Sequence, residues 1–543
     1  MAATVIASKK RSTAPVTNPF RGEISRPNKS PAKIGTLRRN GWWLAPVGLF
    51  VVSLLAAFSG DPVIVLAPTL LLVLTWAAFA LPLDAVLPAI VFIMVSLNAP
   101  AGHPGSDIFH WPLNPFGKLL YANLPTKFAI ADVIVLLLTL RAITIILLNE
   151  SGMGIDRRPP KPFAQACLIG VAAIVGCEIW GVFLGGGDFK NSLWQLRIPL
   201  LVPCLALATS VAATDRGIRR IRFAFLAAGV HKALEAAIAN WGAGLKNIPD
   251  VIYVTTHSDT VLWATCVAIL FADWFEYRRH SDRSRLVVLL PVYLLAMVAN
   301  NRRTVWVAVA VSLVFIAIVA HRPVKRQLAR LFAITWPLIL AYLVLGLASS
   351  SVVFKPIHMV QSVLLQNDTS SSTRDIENFN LLVTLKARPI VGWGFGHQYL
   401  EIVRAYDISH GFVQYRYLPH NSFLGFWAFN GLLGAGAYFL LFVVGLFYLI
   451  SARRTSVVPA RRAAATWAVC AVIAYLIQAW ADVGMQDWTP MVCLAVALGI
   501  GGALGRSVMA ESDDLPDSEF VDYVDDEPDG LDPGSSPLVQ MTP

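Results

Sequence analysis

Charge is what this 543-residue sequence has least of: Asp, Glu, Lys and Arg make up 14% of it, against about 25% in soluble domains. With 56% hydrophobic residues beside that deficit, an ordinary soluble protein is excluded. No apolar run lies near the start; the first begins only at Trp42. A cleaved signal peptide is therefore not expected, and the N-terminus is expected to stay cytoplasmic. The six cysteines all fall inside apolar runs, so neither a disulfide framework nor a zinc site is indicated, and they read as small core residues. Several catalytic signatures are missing as well: no G-x-x-x-x-G-K-[ST] phosphate loop, no G-x-S-x-G elbow and no H-E-x-x-H pair. The stretch GWGFGH at 392–397 lacks the third glycine of a dinucleotide fingerprint and follows no strand pattern, so it reads as a turn.

What the sequence does have is many separate apolar runs of about 18 to 25 residues, the length a helix needs to cross roughly 30 Å of hydrocarbon. Candidate spans lie near 42–59, 62–81, 84–98, 128–148, 163–184, 195–213, 219–240, 251–274, 285–300, 304–320, 329–350, 421–450, 463–483 and 489–508. Two are weak: 84–98 is short, and 219–240 contains His231, Lys232 and Glu235. The fold expected is an all-α polytopic membrane protein of about 12–14 transmembrane helices, with one large periplasmic loop carrying short helices.

Basic clusters orient the chain, because short cytoplasmic loops hold the excess of Lys and Arg. Arg157, Arg158 and Lys161; Arg216, Arg219, Arg220 and Arg222; Arg278, Arg279, Arg283 and Arg285; Arg322, Lys325, Arg326 and Arg330; and Arg453, Arg454, Arg461 and Arg462 all fall on one side of the fourteen-span scheme. The division that follows is a disordered basic cytoplasmic tail (1–41), a transmembrane bundle (42–350), a periplasmic loop (351–420), C-terminal transmembrane helices (421–508) and a disordered acidic cytoplasmic tail (509–543). The formal net charge of +10 is segregated between a basic start and an acidic end, so no nucleic-acid partner is inferred from it.

Positive charge on the outer side runs against the orientation rule and marks candidate sites. Arg197 in SLWQLRIPLL, Arg302 and Arg303 in ANNRRTVW, and Arg374 in SSSTRDIENFNLL qualify. Each has an alternative reading as a snorkelling side chain, but an arginine inside an apolar run, as Arg197 is, usually faces a partner or a watery cavity. Ser372 and Asp375 resemble an N-terminal capping box, which would start a helix with its first-turn amides beside Arg374. The alternative is an amphipathic loop helix packing through Ile376, Phe379 and Val383.

His420 stands where the long hydrophilic stretch meets an apolar span, in PHNS followed by FLGFWAFNGLLG. A neutral imidazole there is a proton acceptor, and nearby arginines would depress its pKa. Gly431, Gly434 and Gly436 would let another helix approach closely. Asn421, His257 and Asp482 are supporting candidates, with Asp259 and Asp487 at the same edge. His358, His397 and His410 share the loop, but nothing local favours them.

These stretches resemble the O-antigen ligase and O-antigen polymerase superfamily. Its motif of His, then Asn, Ser or Gln, nine residues, Gly, two residues, and Gly, Thr or Tyr is matched by His420, Asn421, Gly431 and Gly434. NNRRTVW and TRDIENFNLLVTLKARPIVGWGFG are similar too, and the resemblance covers roughly 190–500. It implies a metal-independent, inverting glycosyltransferase without cofactors, acting on a polyprenyl diphosphate-linked glycan donor at the periplasmic face of the inner membrane. It also implies that Arg197, Arg302 (with Arg303 adjoining) and Arg374 hold the diphosphate while His420 activates the acceptor hydroxyl. The absence of an Asp-x-Asp pair in the early outer loops agrees with a metal-free mechanism.

The acceptor is lipid A core for a ligase, or a growing lipid-linked glycan for a polymerase, and motifs do not separate them. A transporter of lipid-linked glycans is a third reading. It predicts charges near the bilayer midplane, whereas here only His231, Lys232 and Glu235 lie deep in a run.

Overall fold

The structure is a computed structural model describing residues 75–98, 128–148, 157–245, 255–277, 280–300, 302–349, 369–404 and 414–513, with a few isolated positions besides. The basic tail, the acidic tail beyond Asp513, the candidate span at 42–59 and most of that at 62–81 lie outside the described residues, and α13 continues through the first five residues of the stretch 509–543 expected to be disordered. The other twelve candidate spans are all helical: α1 (Leu83–Ser96), α2 (Ile130–Leu148), α3 (Lys161–Glu178), α4 (Phe189–Ala212), α5 (Asp215–Leu245), α6 (Asp259–Tyr277), α7 (His280–Asn300), α8 (Arg303–Val319), α9 (Arg322–Ala348), α11 (Ser422–Thr455), α12 (Pro459–Ala481) and α13 (Trp488–Asp513). The thirteenth, α10 (Thr369–Ala387), belongs to the hydrophilic stretch. No β-strand occurs among the described residues. The chain is an all-α polytopic membrane protein, with eight described helices long and apolar enough to cross a bilayer.

Its surface shows why. Leu147, Phe183, Val287, Ile334 and Leu338 are each more than 60% exposed, which only a hydrocarbon solvent tolerates on so many neighbouring helices. The interior is built from α4 and α13, the most buried spans, which pack on each other; α13 also packs on α11 and α4 on α3. Small residues allow this closeness, since helices in lipid associate by van der Waals contact. On α12, Ala463, Ala464, Ala465, Ala468 and Ala471 are buried beside α6, α11 and α13. All six cysteines are buried and unpaired.

Two irregularities position the loop. Past Glu178, α3 continues as a π-helix over Ile179–Leu184, and there Gly181 meets the backbone of Gly394 and Phe395. In α11 the helix is broken at Gly431, where φ is 63° and ψ is −175°. The carbonyls freed at the break, which lipid could not satisfy, accept from the loop: Trp393 N–H donates to Ala428 at 3.2 Å and Gly394 N–H to Phe429 at 2.8 Å. In return, Leu432 and Leu433 donate to Pro389 and Ile390 at 2.9 and 3.0 Å. Gly431 therefore admits an inserted loop, not the second helix its spacing suggests. GWGFGH is the turn expected, with Gly392, Gly394 and Gly396 all at positive φ.

Gln195 on α4 secures the far side of the loop. Its Nε2 donates to the carbonyls of Tyr417 and His397 at 2.7 and 3.2 Å, and its Oε1 accepts from Gly396 at 2.6 Å.

Candidate active site

Five segments meet at the loop-bearing end of the bundle: the turn before α6, the start of α8, helix α10, the start of α11 and the α12–α13 turn. Helix α10 begins at Thr369, three residues before Ser372. The capping-box expectation is therefore corrected: Ser372 and Arg374 lie inside the helix, and the first-turn amides do not belong to them. The packed face differs as well. Glu377, Asn380, Leu381 and Thr384 are buried while Phe379 is 49% exposed, the i, i+3, i+4, i+7 pattern of one helical face. Asn380 holds the loop segment at 402–403 by accepting from Ile402 and Val403 at 2.9 and 3.0 Å and donating to the Val403 carbonyl at 2.8 Å.

Glu377 is not among the residues singled out from the sequence, and it is a partner of His420. Its Oε1 accepts the His420 backbone N–H at 3.2 Å, and its Oε2 lies 3.1 Å from Nδ1 of the ring. Burial works against protonation of His420, yet the hydrogen bond and charge of Glu377, helped by Asp482, outweigh both burial and Arg374 and raise its pKa. The expectation that arginines depress it is corrected by this carboxylate. A signal was available in the acid one turn after Arg374, on a face also bearing Asn380 and Thr384. Asn421 caps α11, its Oδ1 accepting from Leu424 N–H at 3.0 Å while Nδ2 donates to Asn378 at 3.0 Å.

Asp482 follows the last residue of α12 and is joined to both neighbours. Ser422 donates its hydroxyl to the Asp482 carbonyl at 2.9 Å, and the carboxylate lies 2.8 Å from His257 Nδ1. Burial would push this carboxyl up, but the hydrogen bond from His257 and the charges of Arg374 and His420 hold it well below the usual carboxylate range. Nε2 of the same ring contacts a terminal guanidinium nitrogen of Arg302. Because arginine has donors only, Nε2 accepts and Nδ1 carries the proton donated to Asp482. Asp482, His257 and Arg302 thus form one chain that aims a guanidinium, and the neighbouring Arg303 opens α8.

Arg197 occupies an adjoining cluster. It is 9% exposed, pairs with Asp132 at 3.4 Å and faces the rings of Trp194 and Trp488 at 5.5 and 5.7 Å. The partner expected for a buried arginine is therefore Asp132. The two clusters touch through Asp487, next to Trp488, which accepts the hydroxyl of Ser258 beside His257. Below them Lys232 donates to the Asn98 carbonyl at 2.7 Å and to Glu235 at 2.8 Å, and lies 3.9 Å from Asp259. Of the loop histidines, His358 and His397 bond the backbone carbonyls of Ser349 and Gly181 at 2.7 and 3.2 Å, and His410 lies outside the described residues.

Residues 286–439, which carry Arg302, Arg303, Arg374, Glu377 and His420, match the family model described as O-antigen ligase. Over this segment the chain is similar to the O-antigen ligase family. No curated protein matches the chain. That likeness implies a glycosyltransferase-type activity on a lipid-linked glycan and an acceptor. Asp482, His257 and Arg197 lie outside the O-antigen ligase segment, and the fold carries the first two to its edge.

Proposed function

We propose that the chain is an inner-membrane glycan ligase, transferring a glycan from a polyprenyl diphosphate carrier to an acceptor hydroxyl at its periplasmic face. The observation that carries this reading is the convergence of Glu377 and His420 with Asp482, His257 and Arg302 at one end of the bundle. With Nδ1 turned to Glu377, Nε2 of His420 takes the proton of the acceptor hydroxyl. The hydroxyl oxygen then bonds to the anomeric carbon from the face opposite the carrier. The bond to the diphosphate breaks with inversion, and its electron pair passes to the leaving diphosphate. Arg302, Arg303 and Arg374 hold that developing charge, for which planar guanidinium donors are suited, and Arg197 borders the donor's path. Charge stabilisation by arginines can serve the leaving diphosphate without a metal ion, so activity is expected to survive a strong chelator.

Reconstitution with a lipid-linked glycan and either lipid A core or a second lipid-linked glycan tests the reading. One discrete conjugate on lipid A core supports the ligase. A ladder of lengthening products on the carrier shows a polymerase instead, and glycan crossing the bilayer without a covalent product shows a transporter. His420→Ala should abolish transfer with insertion intact, a loss of about 10²–10⁴-fold; normal turnover by that variant would remove His420 from the mechanism.

A further inference from the structure

At the N-terminal end of α5, away from the mid-helix Lys232, lies a groove that plays no part in the proposed transfer. Arg216 and Lys232 are sixteen residues apart on that helix, about 24 Å along its axis. The groove runs between α1 and α5 with a volume of about 530 Å³, within the range of about 300–1,000 Å³ typical of small-molecule sites. Its walls are apolar: Pro88, Ala89 and Phe92 from α1, and Phe223 and Ala227 from α5. Phe223 is 72% exposed, so the groove opens sideways to the lipid. The rim is formed by Arg216, Arg219 and Arg220. Arg220 is engaged by Asp84, whose carbonyl and carboxylate it meets at 3.2 and 3.4 Å. Arg216 and Arg219 have no acidic partner among the described residues.

We infer that this groove binds an anionic phospholipid, its phosphate held by Arg216 and Arg219 and an acyl chain lying between α1 and α5. The charge pattern fits that occupant: two guanidiniums that no acid among the described residues engages stand at the mouth of a cavity with apolar walls. Basic residues at the membrane edge recruit anionic headgroups in this way, and guanidiniums bind phosphate bidentately. The chain's own acidic segment, with eleven Asp and Glu after residue 510, would match the rim, but its Phe520, Val521, Tyr523 and Val524 are interspersed with Glu519, Asp522 and Asp525, carboxylates that apolar walls do not accommodate.

The test uses the full-length protein in detergent, titrated with palmitoyl-oleoyl phosphatidylglycerol or the matching phosphatidylcholine, with bound lipid counted by native mass spectrometry. The wild type should retain one phosphatidylglycerol and no phosphatidylcholine under the same activation. At about 1 kcal/mol for each arginine, Arg216→Gln/Arg219→Gln should weaken retention roughly thirtyfold. Ala89→Trp, which fills the groove and leaves the rim intact, should weaken it as well. Equal retention of both lipids, or an unchanged double variant, overturns the proposal. So does displacement by an equal concentration of inorganic phosphate, which would mark a free-anion site. An adduct that appears only after deletion of residues 511–543 would assign the arginines to the acidic tail and equally defeat it.

Discussion

Glu377 grips His420 at two points, accepting its backbone N–H at 3.2 Å and facing its ring Nδ1 at 3.1 Å. One carboxylate from a separate helix thereby fixes the position of the imidazole and, with Asp482, raises its basicity. Since α10 is tied to the α11 break through Trp393, which donates its indole N–H to the Thr384 carbonyl at 3.0 Å, the pair is held to the membrane domain.

That pair gives a pH prediction. His420 is titrated above its ordinary value because Glu377 and Asp482 outweigh burial and Arg374; as the base it works only when neutral, so activity should rise with pH through this raised value. Glu377→Gln removes the principal raising charge. The acid limb of turnover should then move to lower pH, and the plateau should fall by about tenfold or more as the ring loses orientation and basicity. Asp482 stays ionised far below this range, so the limb reports His420. A pH-rate profile for donor and acceptor at saturation checks it: an unmoved limb in Glu377→Gln would detach Glu377 from the mechanism.

Arg197 and Asp132 form a buried pair. Arg197→Ala leaves a carboxylate without its counter-charge, which should cost about 3–5 kcal/mol of stability. Thermal unfolding in detergent should show the loss, and Arg197→Ala/Asp132→Asn should recover much of it. A raised KM for the lipid donor in the stabilised double variant would be the mark of contact between Arg197 and the diphosphate. An unchanged KM there would confine Arg197 to a structural role.

Gly431 and Gly392 face each other at the inserted loop, with φ of 63° and 71°. A Cβ on Gly431 would collide with the backbone of Ile390 and Gly392, on top of roughly 1–3 kcal/mol of strain at that φ. Gly431→Ala should expel the 389–394 segment and abolish transfer. Gly436→Ala meets nothing within 4 Å and should behave as the wild type. Limited proteolysis of the loop, read beside activity, distinguishes the two; an intact, active Gly431→Ala protein would contradict the packing described.

The sequence by itself determined the solvent, the helices and the shape of the motif. Residues meant for hydrocarbon must be apolar over a length fixed by bilayer thickness, so every candidate span within the described residues is recognisable, including α1 and α5 with its buried Lys232. His420, Arg302 and Arg374 could be singled out because a polar group at a membrane edge is locally anomalous. Only the tertiary structure decided which of these side chains meet. Glu377 is 43 residues from His420, and His257 is 225 residues from Asp482. The depression expected for His420 failed for that reason, since its titration is governed by a carboxylate whose proximity no local pattern records. The same holds for Gly431: its spacing announces a close approach, but whether a helix or a loop arrives depends on which distant segment has backbone groups to pair with the carbonyls of Ala428 and Phe429.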